Sequence, residues 1–177
     1  GDSVVHATHT LSVTPKDFPT RHLKVAPNFV DPPESVLDRI QRESKRIAAI
    51  FGTVDPFRRW DGPFEAPVPG TATSSFGRRS VFNGQPRSPH TGTDFRAGEG
   101  TPVKSPNAGT VVLKADLYFA GNTVILDHGL GLYSYFAHLS RAAVEEGTEV
   151  ATGDVIGYVG ATGRVTGPHL HWTVRLQ

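Results

Sequence analysis

The first notable absence in this 177-residue sequence is cysteine, of which it has none. Without thiols the chain can form no disulfide, no iron–sulfur cluster, no thiolate zinc site and no cysteine nucleophile. Methionine is also absent, and the chain begins Gly1-Asp2-Ser3. We therefore expect that a signal peptide or membrane anchor is removed from the front of the primary translation product. The eight histidines remain as candidate soft metal ligands.

The chain also lacks a surplus of charge and a long apolar run. Lys and Arg number 18 and Asp and Glu 17, which gives a formal net charge of +1. A protein that binds a phosphate backbone needs a basic surplus, so we predict no nucleic-acid partner. No apolar run approaches the roughly 18 residues that cross a bilayer, so we predict no transmembrane segment in this chain. The length predicts about one domain with a small appendage, and we expect a monomer.

The first part of the chain, residues 1–63, predicts a small α+β segment. Residues 9–13 and 21–25 alternate polar with apolar side chains, which indicates two short strands. A helix is predicted over about residues 33–51, with Asp31 as its N-cap, Pro32 and Pro33 in its first turn and Gly52 at its end. Its apolar residues share one face at a spacing of three and four: Val36, Leu37, Ile40, Ile47, Ile50 and Phe51. We expect this face to pack on a neighbouring core, with docking of a partner as the alternative.

The second part, residues 64–177, predicts a mainly β domain. A Pro- and Gly-rich stretch over residues 55–70 marks the boundary, which we place between residues 63 and 64. Short β-rich runs follow, separated by glycine turns: Thr110–Leu113, Asn122–Asp127, Leu132–Ala137, Val155–Val159 and Leu170–Arg175. No second helix of useful length appears. We predict an antiparallel β-sandwich or open barrel with its functional residues at strand ends.

Three short motifs place histidines where they could meet. Alternation along an extended segment puts His90 and Asp94 on one face, with Gly92 leaving space between them, and it does the same for His169 and His171. His138 closes an apolar run. Two imidazoles and a carboxylate are a common ligand set of catalytic zinc, which keeps a fourth position for water. Each motif alone is more often a buried, hydrogen-bonded structural histidine, so the prediction depends on their combination.

In its motifs, the region 64–177 resembles the lysostaphin/LytM-type zinc metallopeptidases, peptidase family M23. The motifs run in order along the chain: Thr73–Arg78, His90–Asp94, Gly100–Val103, Asn107–Val112, Gly121-Asn122, Asp127–Gly129, Ala137–Ser140, Gly147–Val150, Gly153–Gly157, Thr162-Gly163 and Gly167–His171. The resemblance implies that His90, Asp94 and His171 bind one zinc ion and that His138 and His169 are non-ligand catalytic histidines. We expect His169 to act as the general base and His138 to stabilise the oxyanion.

The resemblance also implies a substrate and a compartment. It predicts a zinc metalloendopeptidase that hydrolyses peptide cross-links of bacterial peptidoglycan in the cell envelope, periplasmic or secreted. Lysostaphin-like members carry a tyrosine shortly before the first ligand histidine, and residues 78–87 contain none. This departure favours the general cross-link (D,D) endopeptidases over enzymes that cut glycine bridges, and Arg78 is a candidate for the missing donor.

Other interpretations remain open at this stage. A non-enzymatic peptidoglycan-binding or amidase-activating module of the same fold is the main alternative, and a lipoyl-carrier-like sandwich is disfavoured because residues 147–160 contain no lysine. The segment 1–63 could be a scaffold, a groove wall or a latency segment. We expect His6, His9 and His22 to be solvated, His128 to be a structural turn residue, and Trp172 to lie in the core.

Overall fold

Strands dominate the fold. The computed structural model describes residues 8, 10, 12–74 and 76–177, and within them it contains one α-helix, α1 (Glu34–Phe51). The strands are β1 (Thr20–Leu23), β2 (Ala72–Ser74), β3 (Arg79–Phe82), β4 (Gln85–Arg87), β5 (Thr93–Phe95), β6 (Pro102–Lys104), β7 (Gly109–Leu117), β8 (Gly121–Asp127), β9 (Leu132–Ala142), β10 (Glu149–Val150), β11 (Val155–Val159) and β12 (Leu170–Leu176). The prediction of a mainly β fold with one N-terminal helix is confirmed.

The large sheet contains nine strands, all paired antiparallel. Seven of them follow the order β10-β7-β8-β9-β12-β5-β2, while β11 pairs with both β9 and β6. In the middle of this sheet β12 lies between β9 and β5, so that His171 is opposite Ala137 on one side and Asp94 on the other. This register brings residues that are far apart in sequence to one place on the sheet.

The alternation along β12 separates the core from the opposite face of the sheet. Leu170 is fully buried, and Trp172 packs on the same main core cluster. His171, between them, therefore points to the other face, as period-2 geometry requires. The prediction that Trp172 belongs to the core is confirmed.

A small second sheet joins the N-terminal segment to the rest of the chain. It has the order β1-β3-β4, and β1 pairs with β3 in parallel, from Thr20 opposite Arg79 to Leu23 opposite Phe82. The chain between β1 and β3 includes α1 and is long enough for the crossover that parallel strands need. The strand predicted at residues 21–25 is found at Thr20–Leu23. Of the strand predicted at 9–13, residues 9 and 11 lie outside the described residues, as do His6 and His9.

The predicted helix is present, but its N-terminal cap is different. The N-cap position is Pro33, with no capping side chain, whereas Gly52 ends the helix as predicted. Asp31 is therefore not the cap. Its carboxylate accepts hydrogen bonds from the Gln85 amide at 3.1 and 3.2 Å. Asp31 thus contacts β4 instead of capping the helix. The residues around Asp31 do not indicate this contact.

The C-terminal end of the apolar helix face packs on the sheet. Ile47, Ile50 and Phe51 lie against a second core cluster that includes Leu113 of β7. Leu37, ten residues before Ile47, is 48% exposed. The apolar face is therefore packed unevenly along the helix.

This difference predicts unequal effects of two substitutions on stability. Ile47→Ala should lower the free energy of unfolding by about 2 kcal/mol, since it removes apolar contacts from a packed cluster. Leu37→Ala should change it by less than about 0.5 kcal/mol, as is usual at an exposed position. Urea titration followed by circular dichroism measures both, and equal losses would show that the whole helix face is packed.

The connector after α1 contains neither helix nor strand over residues 55–70. It nevertheless lies along the large sheet: the Arg59 amide donates to the His128 carbonyl at 2.9 Å, and Val68 is 2% exposed in the main core. The boundary at 63/64 stays a prediction. None of the helices in the described ranges has the length and apolarity that crossing a membrane requires.

Candidate metal centre

Three side chains converge where β5 and β12 pair. Their facing atoms are His90 Nε2, Asp94 Oδ1 and His171 Nδ1, separated by 3.0 Å (His90 to Asp94), 2.9 Å (His90 to His171) and 3.0 Å (His171 to Asp94). Such a triangle of two nitrogens and one oxygen could hold a metal ion. The two imidazoles and one carboxylate match the donor types of a three-ligand catalytic zinc site.

The local sequence explains how the triangle forms. Asp94 and His171 are direct cross-strand partners. His90 lies before β5, outside the strand, and its backbone is fixed by bonds from His90 N–H to the Arg78 carbonyl at 2.9 Å and from the Gly77 N–H to the His90 carbonyl at 2.8 Å. Strand alternation therefore accounts for only part of the predicted pairing of His90 with Asp94.

Gly92 allows the segment before β5 to approach β12. A Cβ on Gly92 would lie 2.5 Å from the Trp172 carbonyl oxygen, 2.5 Å from Thr173 Oγ1 and 2.9 Å from His171 Cε1. Such distances are far below van der Waals contact, so this position requires a glycine.

A hydroxyl orients the His171 ring. Thr173 Oγ1 lies 3.0 Å from His171 Nε2, which leaves Nδ1 facing Asp94 and His90. Partners of this kind fix the tautomer and rotation of a ligating imidazole. The sequence reasoning missed Thr173, although the same period-2 alternation that paired 169 with 171 would have found it.

The remaining two predicted histidines lie beside the triangle. The ring centroids of His138 and His169 are 4.8 Å apart, and those of His138 and His171 are 6.1 Å apart. His169 Nε2 is 3.9 Å from Asp94 Oδ1. The structure thus brings together all five side chains selected from the sequence, while their individual roles stay predictions.

Both of these histidines are held through Nδ1 by backbone carbonyls. His138 Nδ1 is 2.9 Å from the Thr162 oxygen and His169 Nδ1 is 2.8 Å from the Gly167 oxygen. A carbonyl only accepts hydrogen bonds, so each Nδ1 carries the proton and each neutral ring presents Nε2 as an acceptor. His138 also has a φ of 65°, an uncommon value for a non-glycine residue that is often found at functional positions.

The electrostatics of the cluster favour the protonation states that metals bind. Burial raises the pKa of the Asp94 carboxyl, but hydrogen bonds from His171 and His90 outweigh burial and hold that pKa well below its usual range. Burial lowers the pKa of His171, and burial together with the nearby His169 lowers the pKa of His138 to about 3. An ionised carboxylate and neutral imidazoles are the ligand forms of these groups.

His128 and His22 lie elsewhere and agree with their predictions. His128 is fully buried, with Nδ1 2.7 Å from the Ala108 carbonyl and Nε2 2.9 Å from Ser134 Oγ. It is a structural residue between β8 and β9. His22 is exposed on β1.

Comparison with known proteins identifies the family. A family model described as peptidase family M23 matches residues 88–177, which is half of the chain. The chain belongs to peptidase family M23. This agrees with the resemblance that the sequence motifs indicated.

Relatives of this M23 chain include cell-wall enzymes. It is 46% identical over 84 residues to the peptidoglycan DD-endopeptidase ShyA of Vibrio cholerae, covering 48% of this chain and 20% of that protein. It is 45% identical over 87 residues to the DD-carboxypeptidase/endopeptidase Mpg of Neisseria meningitidis, covering 49% and 20%. The chain thus spans about a fifth of the length of these relatives.

Solved structures agree on the fold. A candidate M23 peptidase from Pseudomonas aeruginosa is 41% identical, with a TM-score of 0.70 over 81% of this chain and 57% of that one. A zinc-containing peptidase from Vibrio cholerae is 34% identical, with a TM-score of 0.56 over 68% of this chain and 37% of that one.

Proposed function

We propose that this chain is a zinc-dependent endopeptidase domain that hydrolyses peptide cross-links of bacterial peptidoglycan, of the D,D type. The observation that carries the proposal is the meeting of a His/Asp/His triangle with two further histidines on one face of the large sheet. Family membership supports the reaction class. The names of the relatives, a DD-endopeptidase and a DD-carboxypeptidase/endopeptidase, support the substrate class.

We assign the zinc ligands to His90 Nε2, Asp94 Oδ1 and His171 Nδ1. The residues fit the ion: hydrogen bonds from the two histidines hold the pKa of Asp94 low, burial lowers the pKa of His171, and Thr173 orients the His171 ring. When bound, the ion polarises the scissile carbonyl and lowers the pKa of a water molecule towards about 7. The remaining chemistry is assigned to the residues around it.

His169 is the proposed general base. Its Nε2 lies 3.9 Å from Asp94 Oδ1, at the border of the ligand triangle rather than within it. Its Nδ1–H is bound to the Gly167 carbonyl, so Nε2 is the atom that accepts a proton from the attacking water. The same atom can return that proton to the leaving amine, as a positioned imidazole does in general acid–base catalysis.

The hydrogen bond of the His138 ring limits the role that we expect for it, stabilisation of the oxyanion. Because Nδ1–H donates to Thr162, a neutral His138 presents an acceptor at Nε2 and cannot donate from it to an oxyanion. We therefore propose that His138 accepts a hydrogen bond in the free enzyme. Donation to an oxyanion would require a proton on Nε2, which burial of His138 opposes in the free protein.

The proposed location follows from the proposed substrate. Peptidoglycan lies outside the cytoplasmic membrane, so the protein would act in the cell envelope, periplasmic or secreted. The absence of tyrosine from residues 78–87 supports D,D cross-links rather than glycine bridges as the cleaved bond.

Digestion of purified peptidoglycan tests the proposal. We expect the zinc-supplemented protein to deplete cross-linked muropeptide dimers and to enrich monomers, as measured by chromatography after muramidase treatment. A chelator should stop the reaction, and added zinc should restore it. His169→Ala, purified in the same way, controls for contaminating hydrolases.

Two other outcomes count against the proposal. If the zinc-loaded protein leaves the dimers intact, the endopeptidase assignment is wrong. If it also sediments with peptidoglycan while releasing no fragment, the non-enzymatic binding module becomes the better description.

A further inference from the structure

The loop between β11 and β12, residues 160–169, supplies both carbonyls that orient the two non-ligand histidines. Thr162 accepts from His138, and Gly167 accepts from His169. A shift of either part of this loop would therefore move the hydrogen-bond acceptor of one ring. What holds the β11–β12 loop in place is thus relevant to both rings.

The front of the loop is fixed by contacts with β8 and β9. Thr162 Oγ1 donates to the Leu139 carbonyl at 2.8 Å and accepts from the Asn122 amide at 2.9 Å. Gly163 packs so closely that a Cβ would lie 2.4 Å from the Gly121 nitrogen. These bonds hold residues 162 and 163, but they do not reach the part of the loop that leads to Gly167.

Arg164, in the centre of the loop, extends into an aromatic pocket. Its guanidinium carbon is 5.0 Å from the centre of the Phe82 ring and 4.8 Å from that of Phe119. Its backbone amide donates to the Phe119 carbonyl at 2.8 Å, and Nη1 lies 3.5 Å from the Phe29 carbonyl. A guanidinium within about 6 Å of an aromatic ring is attracted to the ring face.

The pocket is unusual for an arginine because it contains no opposite charge. Within the described chain no carboxylate acts on the guanidinium, and burial together with the positive Arg87 lowers the pKa of Arg164. A cation without a paired anion is costly to bury. The burial of Arg164 is therefore better explained by a role in positioning the β11–β12 loop than by a contribution to the stability of the fold.

One wall of the pocket comes from the N-terminal segment. The turn Pro27–Phe29 supplies the Phe29 carbonyl, and the Phe29 ring packs on Tyr118 at 5.5 Å between centroids. The Tyr118 hydroxyl donates to the Asn28 carbonyl at 2.9 Å, and its ring contacts Phe119 at 5.0 Å. Through Tyr118 the N-terminal turn thus supports Phe119, one of the two rings beside Arg164.

We propose that Arg164 is a positioning residue: seated between Phe82 and Phe119 against the N-terminal turn, it holds the centre of the β11–β12 loop so that the Gly167 carbonyl orients His169. Thr162, which is held by its own bonds, orients His138 without Arg164. The N-terminal segment is then a scaffold for the reaction centre rather than a latency segment. This inference rests on the proposed function for its kinetic consequence. Its structural consequence, the tautomer of the His169 ring, does not depend on activity.

The test compares Arg164→Met with wild type in the zinc-loaded, full-length chain. Long-range ¹H–¹⁵N NMR of the imidazoles should show His138 and His169 as Nδ1–H tautomers in wild type. In the variant His169 should become a mixture of tautomers, while His138 keeps its tautomer because the bonds of Thr162 are unchanged. On a soluble cross-linked muropeptide, kcat should fall by about 10- to 100-fold. KM and the zinc content should be unchanged, because neither substrate binding nor a ligand is altered.

Arg175→Met is the matched control. Arg175 stacks on Phe51 at 4.7 Å, far along β12 from the reaction centre, so its loss removes the same kind of contact. It should leave the tautomers and kcat as in wild type. If Arg164→Met does not fold, Phe119→Leu removes one ring of the pocket while keeping the backbone acceptor, and it should cause a smaller shift in the same direction.

The outcomes separate this inference from the proposed function. The positioning role is wrong if the folded Arg164→Met variant keeps the wild-type tautomers and full kcat. If Arg164→Met does not fold, the same result in Phe119→Leu rejects the positioning role. Either result leaves the endopeptidase assignment intact. An inactive wild-type protein would refute the proposed function, and the NMR comparison would still decide whether Arg164 orients the His169 ring.

Discussion

His169→Ala is expected to keep its zinc and lose its activity, whereas His171→Ala and Asp94→Ala are expected to lose both. The reason is position relative to the ligand triangle. His171 Nδ1 and Asp94 Oδ1 are 3.0 Å apart within it, but His169 Nε2 is 3.9 Å from the Asp94 oxygen and is bound through its other nitrogen to a carbonyl. Removing a general base typically lowers the rate by about 10²- to 10⁴-fold. Removing one of three protein ligands should empty the site.

The measurement is zinc content per chain after dialysis, together with the rate of muropeptide cleavage. His22→Ala is the matched control, since it deletes an exposed histidine on β1 and should alter neither quantity. The opposite pattern, an empty site in His169→Ala and a loaded one in His171→Ala, would exchange the roles of these two residues. His169 directly precedes β12 and His171 lies near its start, so a general unfolding of β12 would disturb both and cannot produce the expected split.

The parts of the site that could be predicted depend on local periodicity. Period-2 alternation predicts His171 and Trp172 on opposite faces of β12, and a strand keeps this pattern wherever it lies in the sheet. The pairing of His171 with Asp94 is different, because it depends on β12 lying beside β5. Residue spacing leaves that register open, and only the resemblance to known metallopeptidases indicated it.

The conformation of His138 could not be predicted from the local sequence pattern. The apolar run predicts a strand that ends at Ala137, yet β9 continues to Ala142, with His138 at a φ of 65° inside it. That conformation is fixed by distant residues: the Ala120 carbonyl accepts from the His138 amide at 2.9 Å, and Thr162 binds the ring. Non-local contacts of this kind outweigh strand propensity.

Two contacts of the N-terminal segment lie beyond local sequence for the same reason. The cap assigned to Asp31 fails because its carboxylate bonds to Gln85, 54 residues away in sequence. The parallel pairing of β1 with β3, for which the sequence made no prediction, likewise joins Thr20 to Arg79. Neither partner can be recognised from the few residues around these positions. In contrast, Gly52 ends the helix as predicted.

Gly92→Ala is expected to disrupt the metal site without touching a ligand. The new methyl group would lie 2.5 Å from the Trp172 carbonyl oxygen and 2.9 Å from His171 Cε1. A backbone oxygen within a paired strand cannot move aside freely, so the segment before β5 must shift away from β12. Such a shift separates His90 and Asp94 from His171. We expect zinc affinity to fall by at least about 10-fold, comparable to the loss of an outer-sphere partner, and stability to fall by about 1–3 kcal/mol through overpacking.

Gly98→Ala is the control for this substitution, because its Cβ would meet no atom closer than Thr101 Oγ1 at 4.0 Å. Gly98 is exposed and should accept alanine with its zinc affinity unchanged. Competition with a chromogenic chelator gives the affinities, and thermal unfolding without metal gives the stabilities. The loss of zinc affinity is compared with the loss of stability. If Gly92→Ala is destabilised but binds zinc normally, the ligand triangle can re-form after β5 moves. In that case the close approach of the two strands would serve packing alone.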